Sequence, residues 1–210
     1  MYKIYTYNKT FIGERATWGE AKTFAREFTE KNQKHTYIYS GGKVFAIYPL
    51  IRKERKIKMT KAIYFDMDGT LANLYGVEDW LTKLRVYDAS PYAEAPVMLN
   101  MQALARRLNK LQKDGYTIGI ISWLSKESTP EYDAAVVAEK LAWLEKHLHS
   151  VKWDEIHLVA YGKRKSKLAQ VKGGYLFDDN KSVRKEWIKH NPDGWAFDVG
   201  NILEILDLLN

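Results

Sequence analysis

The chain has 210 residues, of which 46% are hydrophobic and 28% charged, a composition typical of a globular protein with one sizeable core or one domain and a small companion. It contains no cysteine, which excludes disulfides and thiolate metal sites. The first residues do not resemble an apolar signal segment, and no run of about 18 apolar residues occurs, so we expect a cytoplasmic protein without a membrane partner.

Positive charge is concentrated in the first quarter of the chain. Residues 1–58 contain 13 Lys and Arg against 5 Asp and Glu, a net charge of +8, whereas residues 59–210 carry a net charge of −1. A charged segment, 51–58, follows Pro49. This asymmetry predicts a basic module joined to a near-neutral one, with a boundary near residue 55 and domains that span 1–55 and 56–210.

The first module has the pattern of a small, tyrosine-rich α+β domain. A strand is predicted at 3–7, and the capping box formed by Thr17 and Glu20 predicts the start of a helix. The segment 37–47 is predicted to form a hairpin that turns at Gly41-Gly42.

Two interpretations of this basic module stay open. Basic charge follows phosphate backbones and exposed aromatic rings can stack on bases, so residues 1–58 are predicted to contact nucleic acid. The contact face would then include Tyr37, Tyr39 and Lys43. Alternatively, the tyrosines cover a small sheet and the charge provides solubility.

The second module alternates predicted strands and helices. Near-continuous apolar segments predict five strands, at 61–66, 116–122, 155–161, 174–178 and 195–199. One of the intervening helices has an apolar stripe at Val137, Leu141, Leu144 and Leu148. Such alternation predicts an α/β fold with a doubly wound, mostly parallel, Rossmann-like sheet. The whole chain is therefore expected to be this α/β module preceded by the small α+β domain.

Polar side chains follow four of these strands where each one ends. Asp66 and Asp68 follow the first strand, Ser122 ends the second, the cluster 163–167 follows the third, and Asp178-Asp179 end the fourth. A parallel sheet brings these ends to one edge, where ligands bind. Crowded carboxylates repel one another unless a cation intervenes, and hard oxygen ligands suit Mg²⁺. A lysine and a hydroxyl at the same edge suit a phosphoryl group, so we expect phosphoryl chemistry with one aspartate as nucleophile and another as acid and base.

These four segments, FDMDGTLANL, IISWLS, YGKRKSK and YLFDDN, resemble the motifs of the haloacid dehalogenase-like (HAD) phosphohydrolases over residues 59–210. Within that superfamily the chain resembles small-cap nucleotidases and phage and bacterial HAD proteins of unknown activity. The resemblance implies a magnesium-dependent phosphatase, a hydrolase that forms an aspartyl-phosphate. Asp66 would be the nucleophile and Asp68 the acid and base, while Ser122, Trp123 and Lys165 would bind phosphate.

The same resemblance implies the metal ligands. Mg²⁺ would be bound by Asp66, Asp68, the Met67 carbonyl, and Asp178 or Asp179. Residues 74–97 are too few for a large independent cap domain and are predicted to form a small cap of one or two helices. Its Tyr75, Trp80 and Arg85 either select the substrate or pack against the sheet. The substrate would be a phosphorylated small molecule, such as a nucleotide, or a nucleic-acid end.

Several alternatives stay open at this point. Three lysines in 163–167 compete for the phosphate, and Lys165 is favoured by its spacing from Tyr161-Gly162. Trp123 is either a base-stacking residue or part of the core. A phosphotransferase with the same nucleophile is an alternative function. So is a non-catalytic binding protein in which the basic domain carries the function.

Overall fold

The computed structural model describes residues 1–6, 10–32, 36–40, 43–48, 61–191 and 193–209, with the backbone alone at 30, 37, 39 and 43–48. Contacts divide the chain into two compact units, Met1–Lys58 with Gly200–Leu209, and Met59–Val199. The division predicted from sequence assigns the last ten of these residues to the larger module instead. The predicted linker 51–58, the Gly41-Gly42 turn and the side chains of Tyr37, Tyr39 and Lys43 lie outside the described residues.

The smaller unit contains a four-stranded antiparallel sheet and a helix packed on it. Its elements are β1 (Tyr2–Thr6), β2 (Phe11–Arg15), α1 (Trp18–Asn32), β3 (Thr36–Ser40) and β4 (Lys43–Tyr48), and the strand order is β2-β1-β3-β4. The predicted capping box forms: the Thr17 amide donates to Glu20 Oε2 at 3.1 Å, and the Glu20 amide donates to Thr17 Oγ1 at 3.3 Å. Strand β2 was not predicted. Nucleic-acid binding by residues 1–58 stays a prediction.

The larger unit is built on a five-stranded parallel sheet, which confirms the predicted α/β fold class. Its strands are β5 (Ala62–Phe65), β6 (Thr117–Trp123), β7 (Glu155–Val159), β8 (Tyr175–Phe177) and β9 (Trp195–Phe197), in the order β7-β6-β5-β8-β9. Strand β5 is completely buried along its length. The chain winds outward from β5 in one direction through β6 and β7, and then in the other through β8 and β9. The crevice between β5 and β8 is therefore the topological switch point, where α/β sheets bind ligands.

Helices connect these strands, as parallel pairing requires. They are α2 (Trp80–Arg85), α3 (Ser90–Glu94), α4 (Met101–Lys113), α5 (Pro130–Leu148), α6 (Lys165–Leu168) and α7 (Lys181–His190). A last helix, α8 (Ile202–Leu209), groups with the smaller unit. No helix in the described part of the chain is both long and apolar enough to cross a bilayer.

The segment predicted as a small cap, 74–97, folds into a short 3₁₀ turn, Leu74–Gly76, followed by α2 and α3. It packs against the larger unit through a cluster in which Leu74 and Tyr92 meet Leu124, Tyr132 and Val136. Left-handed backbone at Asp79 and Tyr87 bounds α2 on either side. This compact insertion leaves the carboxyl ends of β5 and β8 accessible to a ligand.

Candidate active site

The turn after β5 is held by its own backbone and by the neighbouring strand. The Asp66 amide donates to the Phe177 carbonyl at 2.9 Å, which fixes the start of the turn against β8. The Met67 carbonyl, predicted to bind the metal, accepts three amide hydrogen bonds at 2.9–3.1 Å from residues 70–72. These hydrogen bonds hold the Met67 carbonyl oxygen within the turn, so the metal site proposed below does not include Met67.

Gly69 allows this turn to approach the loop after β8. Its φ of +74° lies in the left-handed region, and a Cβ at this position would lie 2.5 Å from Asp179 Oδ2 and 2.7 Å from a ring carbon of Tyr75. The Asp179 amide also donates to Thr70 Oγ1 at 3.2 Å. The Gly-Thr pair of the sequence motif thus joins two of the predicted acidic segments.

Three carboxylates meet at the switch point. One oxygen each from Asp66, Asp178 and Asp179 lie within 4.8 Å of one another. Burial, helped by the charge of Asp66, raises the pKa of Asp178 to about 7 and that of Asp179 to about 6. Carboxylates this close repel one another, so the cluster favours a cation.

Lys165 is the cation that the chain itself supplies to this cluster. Its side chain is 1% exposed, and its Nζ lies 2.9 Å from Asp66 Oδ1 and 2.7 Å from Asp178 Oδ2. Burial alone would lower the Lys165 pKa, but the two carboxylates outweigh burial and raise it. Lys163 and Lys167 are exposed. Of the three competing lysines, Lys165 is the one placed among the carboxylates.

The second aspartate of the motif faces a different lysine, which the sequence analysis did not identify. Asp68 Oδ2 accepts a hydrogen bond from Lys140 Nζ at 2.6 Å, and the same ammonium donates to Ser122 Oγ and to the Trp123 carbonyl, each at 2.9 Å. Burial raises the pKa of Asp68 above its usual range, although Lys140 opposes that shift. Ser122, predicted to bind phosphate, is completely buried and contacts Lys140.

Lys140 was missed because the inward face of α5 was assigned to the wrong stripe. The helix begins after Thr129, whose Oγ1 accepts a hydrogen bond from the Tyr132 amide at 3.2 Å. Its buried residues are Tyr132, Val136, Lys140, Trp143, Leu144 and Leu148, whereas Leu141 of the predicted stripe is 42% exposed. A lysine in the middle of the i, i+4 series of residues 132, 136, 140, 144 and 148 was the available signal.

Arg184 is a second supporting residue that the sequence did not reveal. One of its guanidinium nitrogens, Nη1, donates to the backbone carbonyls of Asp178 and Asp179, both at 2.7 Å, while Nη2 lies 2.8 Å from Asp198 Oδ2. The guanidinium thereby fixes the loop that presents both carboxylates. Its targets are mainly backbone atoms, which leave no signature in the sequence.

The carboxylates open into a cavity of about 560 Å³, a volume typical of small-molecule sites. Its lining includes all of the predicted substrate-selecting residues, Tyr75, Trp80 and Arg85, together with Trp123. The Trp123 ring lies 5.2 Å from Lys165 Nζ and 4.8 Å from the ring of Tyr161. Tyr75 and Trp80 pack edge to face at 5.1 Å. The lining therefore combines aromatic rings with charged side chains.

Comparisons with known proteins give little beyond this geometry. The chain matches no protein-family model, and no curated protein matches it in sequence. Among solved structures, the D,D-heptose 1,7-bisphosphate phosphatase of Burkholderia thailandensis is similar with a TM-score of 0.43 and 12% identity, over 71% of this chain and 99% of that one. A likeness at this level carries no argument about function, which has to rest on the residues of the site.

Proposed function

We propose that the larger unit is a Mg²⁺-dependent phosphomonoesterase that forms an aspartyl-phosphate on Asp66. The observation that carries this proposal is the cluster of Asp66, Asp178 and Asp179 around the buried Lys165, with Asp68 in the lining of the same cavity. This set combines a carboxylate nucleophile, a second carboxylate for proton transfer and positive charge for a phosphoryl group.

The residues present fit a magnesium ion. Asp66, Asp178 and Asp179 offer oxygen ligands within 4.8 Å of one another, the hard donor set that Mg²⁺ prefers. Asp66 Oδ1 is buried and makes no hydrogen bond, since its 2.9 Å ion pair with Lys165 lacks hydrogen-bond geometry. When bound, the ion would neutralise the carboxylates and the oxygens of the transferred phosphoryl group.

In the first step, a carboxylate oxygen of Asp66 attacks phosphorus as the bond from phosphorus to the leaving oxygen breaks. Asp68 gives its proton to that oxygen, so the leaving group departs as a neutral alcohol. Lys165, which lies 2.9 Å from Asp66, is placed to offset the charge that gathers on the phosphoryl oxygens.

In the second step, water attacks the phosphorus of the aspartyl-phosphate. Asp68 now accepts the proton of that water, and the bond between phosphorus and the Asp66 oxygen breaks. Inorganic phosphate leaves, Asp66 is restored as a carboxylate, and Asp68 carries the proton for the next turnover. One carboxyl group therefore serves as acid in one step and as base in the next.

Nucleotides or nucleic-acid ends are the substrate class that the cavity favours. Its lining contains two aromatic pairs, Trp123 with Tyr161 and Tyr75 with Trp80. Aromatic side chains of this kind can stack on bases. Arg85, also in the lining, supplies positive charge that suits a further phosphate.

The test is phosphate release from a panel of 5′- and 3′-mononucleotides, phosphorylated oligonucleotides, sugar phosphates and 4-nitrophenyl phosphate, with Mg²⁺ or with a chelator. We expect release that needs the metal and is lost in Asp66→Asn, with nucleotides preferred over sugar phosphates. Release that survives Asp66→Asn would refute the covalent mechanism. A preference for sugar phosphates would refute the substrate class, and transfer to an added alcohol in place of water would identify a phosphotransferase.

A further inference from the structure

We propose that Lys140 is a positioning residue for the proton-transfer carboxyl of Asp68, and that Ser122 helps to hold the Lys140 ammonium in place. This inference rests on the function proposed above. The four sequence motifs do not include Lys140, and they assign Ser122 to the phosphate.

The Lys140 ammonium has no donor to spare. Its three hydrogens match its three acceptors, Asp68 Oδ2 at 2.6 Å, Ser122 Oγ at 2.9 Å and the Trp123 carbonyl at 2.9 Å. The side chain is 1% exposed, and its ammonium lies 5.0 Å from the centre of the Tyr92 ring. A fully bonded, enclosed ammonium is poorly placed to contact a substrate, so its effect on the reaction has to pass through its partners.

Asp68 is the partner that faces the cavity. Its side chain is 18% exposed and belongs to the cavity lining, while Oδ2 is held by Lys140. The bond to Lys140 makes Oδ2 the acceptor oxygen of the carboxyl group, which leaves Oδ1 to carry the proton. Lys140 therefore fixes which oxygen exchanges the proton with the leaving group and with water.

Ser122 contacts the Lys140 ammonium from strand β6. The residue is completely buried and does not line the cavity, and its hydroxyl oxygen accepts from Lys140. Together with the Trp123 carbonyl, it fixes the ammonium at the end of β6. Ser122 and Lys140 thus connect β6 and α5 to the turn that carries Asp68.

The experiment uses the full chain with Lys140→Met, which keeps the length of the side chain and removes its charge, and with Ser122→Ala. Lys146→Met is the matched control, since Lys146 is an exposed lysine of the same helix. For each protein we would measure kcat/KM on 4-nitrophenyl phosphate and on a 5′-mononucleotide, and the inhibition constant of inorganic phosphate. The aryl leaving group departs without a proton, whereas the sugar hydroxyl of the nucleotide needs one.

We expect Lys140→Met to lower kcat/KM for the nucleotide by about 10²-fold, the lower end of general-acid effects, and to lower that for the aryl phosphate by less than tenfold. Ser122→Ala should cause a smaller loss with the same substrate dependence. The inhibition constant of phosphate should change little in Lys140→Met. Equal losses on the two substrates in Lys140→Met, or much weaker inhibition of that variant by phosphate, would overturn the inference.

If Lys140→Met does not fold, the inference is tested in proteins that also carry Asp68→Asn. The double variant leaves no unpaired buried charge. Lys140→Met/Asp68→Asn should have the same residual activity as Asp68→Asn, since Lys140 acts only through Asp68. A further loss in the double variant would overturn the inference. An active wild type with an unchanged Lys140→Met would refute the inference alone. A wild type that releases no phosphate from any substrate would refute the proposed function, and this inference with it.

Discussion

Replacement of Lys165 by methionine tests the charge balance of the site most directly. The variant keeps the length of the side chain but removes the ammonium that lies 2.9 Å from Asp66 and 2.7 Å from Asp178. Breaking a buried ion pair from one side typically costs about 3–5 kcal/mol, because the partner stays buried without compensation. For a domain of this size, that loss corresponds to a decrease in Tm of roughly 6–20 °C.

The measurement is thermal unfolding at about pH 8, above the pKa values of about 7 for Asp178 and about 6 for Asp179, in a chelator and again in saturating Mg²⁺. The decrease in Tm should be largest in the chelator and smaller with Mg²⁺, because the ion supplies positive charge to the same carboxylates. Phosphate release should fall by about 10²–10³-fold even with Mg²⁺, the usual effect of removing one stabilising group from a transition state.

Lys163→Met and Lys167→Met are the matched controls, because both lysines are exposed and belong to the same basic cluster. Exposed substitutions of this kind usually change stability by less than about 0.5 kcal/mol. If either control lost activity while Lys165→Met kept its stability and its activity, the assignment of Lys165 would be refuted.

Three further predictions concern the loop that carries Asp178 and Asp179 and the residues that contact it. Gly69→Ala should abolish Mg²⁺ binding in calorimetric titration, because its Cβ would lie 2.5 Å from Asp179 Oδ2; Gly162→Ala, with a φ of +81° but open space around it, should keep it. Arg184→Met should weaken Mg²⁺ binding by about 10–100-fold, as loss of a residue that supports ligands does, and unchanged affinity would contradict the role given to its contacts with the loop. In a chelator, the pKa of Asp178 is raised to about 7, so above about pH 4 its carboxyl group holds more protons in the folded state than in the unfolded state. The contribution of Asp178 to the free energy of unfolding, and with it the Tm, should therefore fall as the pH rises towards 7. Asp178→Asn should flatten this dependence of Tm on pH.

The sheet of the larger unit was predictable because its strands are short apolar segments that end in polar residues. All five predicted strands occur, and β5 is buried along its whole length, as its unbroken apolar pattern indicates. Strand β2 of the smaller unit was not predictable in the same way. It reads FIGER, is an edge strand and is largely exposed or half-buried, so its sequence has no clear alternation.

The candidate site was predictable where strand ends impose proximity and unpredictable where helices supply partners. Asp66, Asp178 and Asp179 meet because β5 and β8 are parallel neighbours. Lys140 lies on a helix between two strands, and its contribution depends on the rotation of that helix. A shift of one residue in the assumed stripe, from Val136 to Val137, was enough to place Lys140 on the wrong face.

Two separate lysines explain how the chain places two aspartates two residues apart. Asp66 is paired with Lys165 of α6, and Asp68 is paired with Lys140 of α5. In the proposed mechanism Asp66 is the nucleophile and Asp68 is the proton carrier, and each of them is bonded to a lysine from a different helix. Two neighbouring carboxyl groups can then perform different chemistry because each is held by its own helix.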